Sequence, residues 1–165
     1  MPDSKFLDFK PRRTPAGAQH GLVCANIVYE LKLFLAQHKL GQCFGAGTGF
    51  VTSQSPARVV SLDAAFVRND HIKEGSIGLD VFAGAPDLAV IVIAPNDKFD
   101  EIEADTHDLI NAGTGHVWIM RPRVRMVTVH RSVNDITIMG ESEFMVAEDV
   151  LPGFRVPVAR LFDGN

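Results

Sequence analysis

Apolar residues change their spacing several times along this chain, and each change predicts an element. Over about residues 20–38, Val23, Ile27, Leu31, Phe34 and Leu35 recur at steps of three and four, the inward stripe of one long helix. Shorter patterns over 48–53 and 59–67 predict strands. The stretch from Asn69 to Gly84 mixes charges with glycines and reads as a loop across the mouth of a site. Leu88 to Ala94 is an unbroken apolar run entered by Pro86-Asp87 and ended by Pro95, the signature of a strand buried on both faces. Asn96 then reads as a helix N-cap. The acidic Asp97, Asp100, Glu101 and Glu103 complement the positive end of that helix, and Phe99, Ile102, Thr106 and Leu109 form its buried stripe. Gly113 is placed to stop it. Val117-Trp118-Ile119 opens a strand that turns at Pro122 and returns through Met126 to Val129, giving a strand, helix and hairpin module. A last strand pair is predicted over 135–146. The apolar tail (Leu151, Phe154, Val156, Val158, Leu161, Phe162) packs either on the core or on a partner subunit.

A chain of 165 residues with 46% hydrophobic content can bury one core, so the reading is a polar arm over residues 1–16 followed by a single domain over 17–165. No run of eighteen apolar residues is present and the first residues lack the apolar core of a signal peptide, which points to a cytoplasmic protein. Disulfides are then not expected. Cys24 in the first helix and Cys43 in the loop after it read as buried or incidental thiols, and the six histidines show no ligand spacing, so no zinc site is expected. His20 opens the first helix. A net charge of −4 offers no global attraction to phosphate. Locally, Arg121, Arg123, Arg125 and Arg131 gather around the Pro122 hairpin, with Arg12 and Arg13 in the arm; they read either as a groove for backbone phosphates or as a solvated turn. Gly45 to Gly49 is glycine-rich but precedes a strand, so it reads as a turn and not as a phosphate cradle.

The order G-x-PDL at Gly84 to Leu88, a hydrophobic strand, Ala94-Pro95, an acidic helix, Ala112-Gly113 and a Trp118-Ile119-x-x-Pro122 segment resembles the Uma-two family of restriction endonuclease-like proteins, within the PD-(D/E)xK nuclease superfamily. The likeness extends through His20-Gly21, Thr48-Gly49-Phe50, Val59 to Val67, and Leu151 to Phe154. It implies an α/β (α+β) fold: a restriction endonuclease-like core with a mixed central β-sheet flanked by helices and an added hairpin region. It also implies a homodimer, DNA as partner, and Mg²⁺ as cofactor if the protein is active, or no cofactor if it is not.

The resemblance places three catalytic groups at Asp63, Ile91 and Asp105: an Asp that is retained, a Glu replaced by an aliphatic residue, and a Lys replaced by an acid. Metal-assisted cleavage needs oxygen ligands to fix a hard cation, and Ile91 offers none. A Lys would stabilise developing negative charge, whereas Asp105 would repel the substrate. Lys98 lies two helical turns from Asp105, roughly 10 Å along the axis, and Asp87 lies roughly 13 Å along the strand from Ile91. Neither replaces the missing groups directly. Glu30 on the first helix is a further candidate ligand, with a solvated or capping role as its alternative. The expectation is therefore an impaired or inactive nuclease with Asp63 as the remnant metal ligand. Two alternatives are an active Mg²⁺-dependent endonuclease with relocated ligands, and a non-catalytic protein that binds DNA or serves as a dimeric interaction partner.

Overall fold

The computed structural model describes residues 16–163; almost all of the arm expected over 1–16, with Arg12 and Arg13, lies outside them. Helix α1 (Ala18–Gln37) turns Val23, Ile27, Leu31 and Leu35 inward, as the periodicity predicts. After it come β1 (Gly41–Phe44), β2 (Thr48–Gln54), β3 (Ala57–Leu62), β4 (Ala64–Arg68) and β5 (Leu88–Val92). The remainder is α2 (Phe99–Asn111), β6 (His116–Arg121), β7 (Met126–His130), β8 (Ile136–Met139), β9 (Phe144–Ala147), β10 (Leu151–Pro157) and the short α3 (Val158–Phe162).

Six strands form the central sheet in the order β1-β4-β5-β6-β7-β8. Only β5 and β6 run parallel, with Val90 opposite Trp118; a parallel pair needs a long crossover, and α2 supplies it. All five residues of β5 are buried, which explains its lack of polar alternation. On one face Val90, Val92, Trp118 and Met120 pack against α1, α3 and the β9–β10 ribbon. On the other, Ala89, Ile91, Val117 and Ile119 pack against Ile102 and Leu109 of α2 and Phe50, Val60 and Leu62 of the β2–β3 hairpin. The sheet is mixed and its faces are covered by helices and ribbons, the architecture expected from the resemblance. No described helix is long and apolar enough to cross a membrane.

Several predicted elements are redrawn. The strand expected over 59–67 breaks at Asp63 into β3, which pairs with β2, and β4, which enters the central sheet. The break follows from Asp63 itself: its N–H donates to the Val90 carbonyl and its carboxylate accepts from the Val92 N–H at 2.7 Å, anchoring the chain where it changes sheets. The pair expected over 135–146 does not form. A turn at Gly140–Glu143 separates β8, which borders β7, from β9, which pairs with β10. Asn96 does not cap α2; the adjacent Asp97 accepts from the Ala94 N–H at 2.9 Å in a preceding turn, and the helix starts after Lys98. Gly113, with φ at 99°, follows its end as predicted. Cys43 sits on β1 and not in a loop. The segment after Asn69 makes a 3₁₀ turn (Asn69–His71) and returns to β2, where Phe82 exchanges backbone hydrogen bonds with Gly49 and Val51. Gly49 is needed there, because a Cβ would stand 2.8 Å from the Val81 side chain. The tail packs on the core, with Leu151, Phe154 and Leu161 fully buried.

Candidate active site

Because β5 and β6 are parallel, their carboxyl ends open on the same edge of the sheet, where ligand crevices of α/β sheets form. A cavity of about 300 Å³ lies there. Its wall combines Ala94, Pro95 and Asp97 after β5, Arg121 to Val124 after β6, and Gly17, Gln19 and His20 at the start of α1. No acidic residue occupies the first turn of α1, so the positive end of that helix is not neutralised from within, and two guanidinium-bearing residues share the wall with it. Asp97 is the opposing charge, and its carboxylate is engaged with the Ala94 N–H. Arg121 is half-buried and its Nε donates to Thr128 at 3.3 Å, which steadies it, while Arg123 is exposed. His130 lies within the field of Arg121; burial first, then that positive charge, holds its pKa below the ordinary histidine value.

Behind the cavity wall, His20 joins a buried polar cluster. Its Nε2 stands 3.4 Å from Asp63 Oδ1, and its Nδ1 3.5 Å from Cys24 Sγ. The potential ligand atoms of His20, Cys24 and Asp63 all lie within 4.8 Å of one another. Each of the three residues is less than a tenth exposed. His20 and Cys24 are four apart on α1 and so share one helix face, while the break between β3 and β4 brings Asp63 to them from the sheet.

The family model of Uma2, described as "Putative restriction endonuclease", matches residues 11–159. The chain belongs to this Uma-two family. No curated protein matches it. Among solved structures, one described as "a putative nuclease belonging to DUF820" from Anabaena variabilis is similar with a TM-score of 0.79 and 14% identity, over 91% of this chain and 83% of that one. At that identity the likeness concerns the fold.

Within the Uma-two fold, the positions singled out from sequence separate. The antiparallel register that sets Ala64 opposite Val90 puts Asp63 level with Ile91, where the resemblance expects a carboxylate pair. Ile91 is 1% exposed and belongs to the apolar cluster of Phe50, Leu62, Ile102 and Ile119, while the Asp63 carboxylate reaches the Val92 amide and His20. Asp105 is half-buried on α2 and does not line the cavity. Glu30 lies ten residues beyond His20, about 15 Å along the helix, and pairs with Arg160 of α3 at 3.6 Å; it belongs to that contact and not to the Asp63 cluster. Lys98 pairs with Glu101, and Asp87 accepts from the Arg68 N–H and contacts His71, so both serve local structure. Arg125 pairs with Glu141 and Asp163, and Arg131 with Asp135, which leaves Arg121 and Arg123 as the arginines of the hairpin that reach the cavity. The loop 69–84 does not line this cavity and lines a separate one beside β2.

A Mg²⁺ ion does not fit this donor set. Mg²⁺ demands oxygen ligands in octahedral geometry; the cluster supplies one carboxylate, one imidazole and one thiol, and Ile91 supplies nothing. His20 and Cys24 are not legible as ligands in the sequence, because the set mixes a histidine, a cysteine and a distant aspartate and repeats no single residue type. The signal was His20-x-x-x-Cys24 on the inward face of a helix, and its third member lies 39 residues on, beyond the reach of spacing alone.

Proposed function

We propose that the protein is a nucleic-acid-binding member of the Uma-two family whose Mg²⁺-dependent phosphodiester cleavage is strongly reduced or lost. The observation that carries this is Ile91, sealed in an apolar cluster level with Asp63. Without a second carboxylate beside Asp63 a hard cation has no fixed place near a scissile phosphate, and loss of a member of a catalytic unit costs orders of magnitude in rate. Binding is supported by the cavity wall, where Arg121, Arg123 and the α1 N-terminus present positive charge at one place.

Incubation of supercoiled plasmid with the protein and Mg²⁺ is expected to leave the plasmid uncut, while a salt titration registers DNA association. Replacing Arg121 and Arg123 by Ala is expected to weaken association for all sequences alike and to flatten the slope of log affinity against log salt by about one for each arginine. Arg125→Ala, whose parent side chain is held by Glu141 and Asp163 and does not line the cavity, is expected to leave the slope unchanged. Efficient nicking in Mg²⁺ would overturn the reading of cleavage, and absence of association at low salt would overturn that of binding.

We carry the homodimer as part of the same proposal. Its natural seam is β8, one edge of the six-stranded sheet, which borders no further strand among the described residues and exposes Ile136 and Ile138. Sedimentation equilibrium is expected to return twice the chain mass of 18.0 kDa, and Ile138→Lys to return the single mass.

A further inference from the structure

We propose that His20, Cys24 and Asp63 form a binding site for a zinc-class divalent ion, a site distinct in chemistry from the all-oxygen site that the fold implies. The inference concerns the ion alone and does not depend on DNA binding or on residual cleavage.

The distances carry the argument. Around a tetrahedral zinc ion with bond lengths of about 2.0–2.3 Å, nitrogen and oxygen ligands stand about 3.4 Å apart and nitrogen and sulfur about 3.6 Å. His20 Nε2 lies 3.4 Å from Asp63 Oδ1 and 3.9 Å from Cys24 Sγ, and all three donors lie within 4.8 Å of one another, so a modest adjustment of these side chains would bring them to those separations. Their mix of thiol, imidazole and carboxylate selects zinc and its first-row neighbours over Mg²⁺, because a thiolate is a poor partner for a hard cation. The outer layer is also present. The Val92 N–H donates to Asp63 Oδ2, which leaves Oδ1 directed at His20 and holds the carboxylate in one orientation.

Binding replaces protons. The Cys24 S–H proton leaves to solvent as the metal–sulfur bond forms, so affinity falls as pH falls. Three protein donors beside a cavity that His20 itself lines resemble an open zinc site more than a closed structural one, which has four. Cys24 does not line the cavity, so a nucleophilic role for its thiol has no access to a substrate there.

Cobalt is the probe, because a thiolate bound to Co²⁺ shows ultraviolet charge-transfer absorption. Metal-stripped full-length protein titrated with Co²⁺ is expected to develop that band to an end point of one ion per chain. Zn²⁺ should then abolish the band stoichiometrically, and a large excess of Mg²⁺ should not. Cys24→Ser and His20→Ala are each expected to weaken binding by at least the 10- to 100-fold that loss of even an outer-layer partner costs. Cys43→Ser should leave the band intact; burial pushes the Cys43 thiol up to about 11, so it remains protonated at neutral pH. Should either site variant fail to fold by circular dichroism, the unmodified protein and Cys43→Ser still decide. Absence of a thiolate band, displacement by Mg²⁺, or loss of the band in Cys43→Ser overturns the proposal.

Discussion

Replacing Ile91 by Glu is expected to destabilise the protein by about 3–5 kcal/mol, the cost of an uncompensated buried charge. Ile91 is enclosed by Phe50, Leu62, Ile102 and Ile119, none of which can accept or donate a hydrogen bond through its side chain. The introduced carboxyl would be driven toward its neutral form, its pKa raised by desolvation. Its ionisation adds nothing at low pH and its full penalty above the folded pKa, so on top of the cost of burying an unpaired neutral carboxyl the deficit should widen as pH rises beyond about 4.3. Mg²⁺ is expected to leave both the variant and the parent protein unmoved, because the Asp63 carboxylate is engaged by the Val92 N–H and His20 while position 91 faces the apolar cluster. Urea unfolding at two pH values, with and without Mg²⁺, checks each limb. A variant as stable as the parent at neutral pH would mean that position 91 reaches water, and the proposed loss of cleavage would lose its support.

Phe154→Ala is expected to cost a similar amount, about 3–5 kcal/mol, for a different reason. The Phe154 ring is fully buried between two other rings, 5.9 Å from Trp118 and at right angles to Phe34 at 5.4 Å. It ties the C-terminal ribbon to both the central sheet and α1. Deleting it leaves a cavity that the close-packed neighbours on β6 and α1 cannot close, which places the expected loss at the upper end of large-to-small substitutions. Chemical denaturation should show an earlier midpoint with little change of slope. A small loss accompanied by a change in sedimentation would instead mean that the tail packs on a partner, the alternative that the apolar pattern alone left open.

The two elements that define the module around β5 were legible because their signals are local. A run such as Leu88 to Val92 has no polar position to place in water, and the spacing of Ile102, Thr106 and Leu109 admits one face of one helix. The motif order that ties the chain to its family was legible for the same reason, since turn and cap residues act on their immediate neighbours. The errors fell where distant partners compete for the same segment. Nothing between Val59 and Val67 announces that the chain changes sheets, because the cause is a pair of hydrogen bonds between Asp63 and β5, one donated by each side, with Val90 and Val92 far along the chain. Likewise 135–146 has the look of a hairpin, yet β7 and β10 each offered one of its halves a longer ladder.

The site divides along the same line. Sequence by itself determined which residues stand where the resemblance expects the catalytic groups, Asp63, Ile91 and Asp105, and that arginines surround the Pro122 turn, since these are questions of residue identity at positions in a motif. Only the tertiary structure decided which arginines reach the cavity, that Glu30 belongs to Arg160, and that Asp63 meets His20 and Cys24. Charge and ligand chemistry are carried by side chains, but whether they act together depends on distances of a few ångströms, set by how a helix face and a strand break are pressed together across the core.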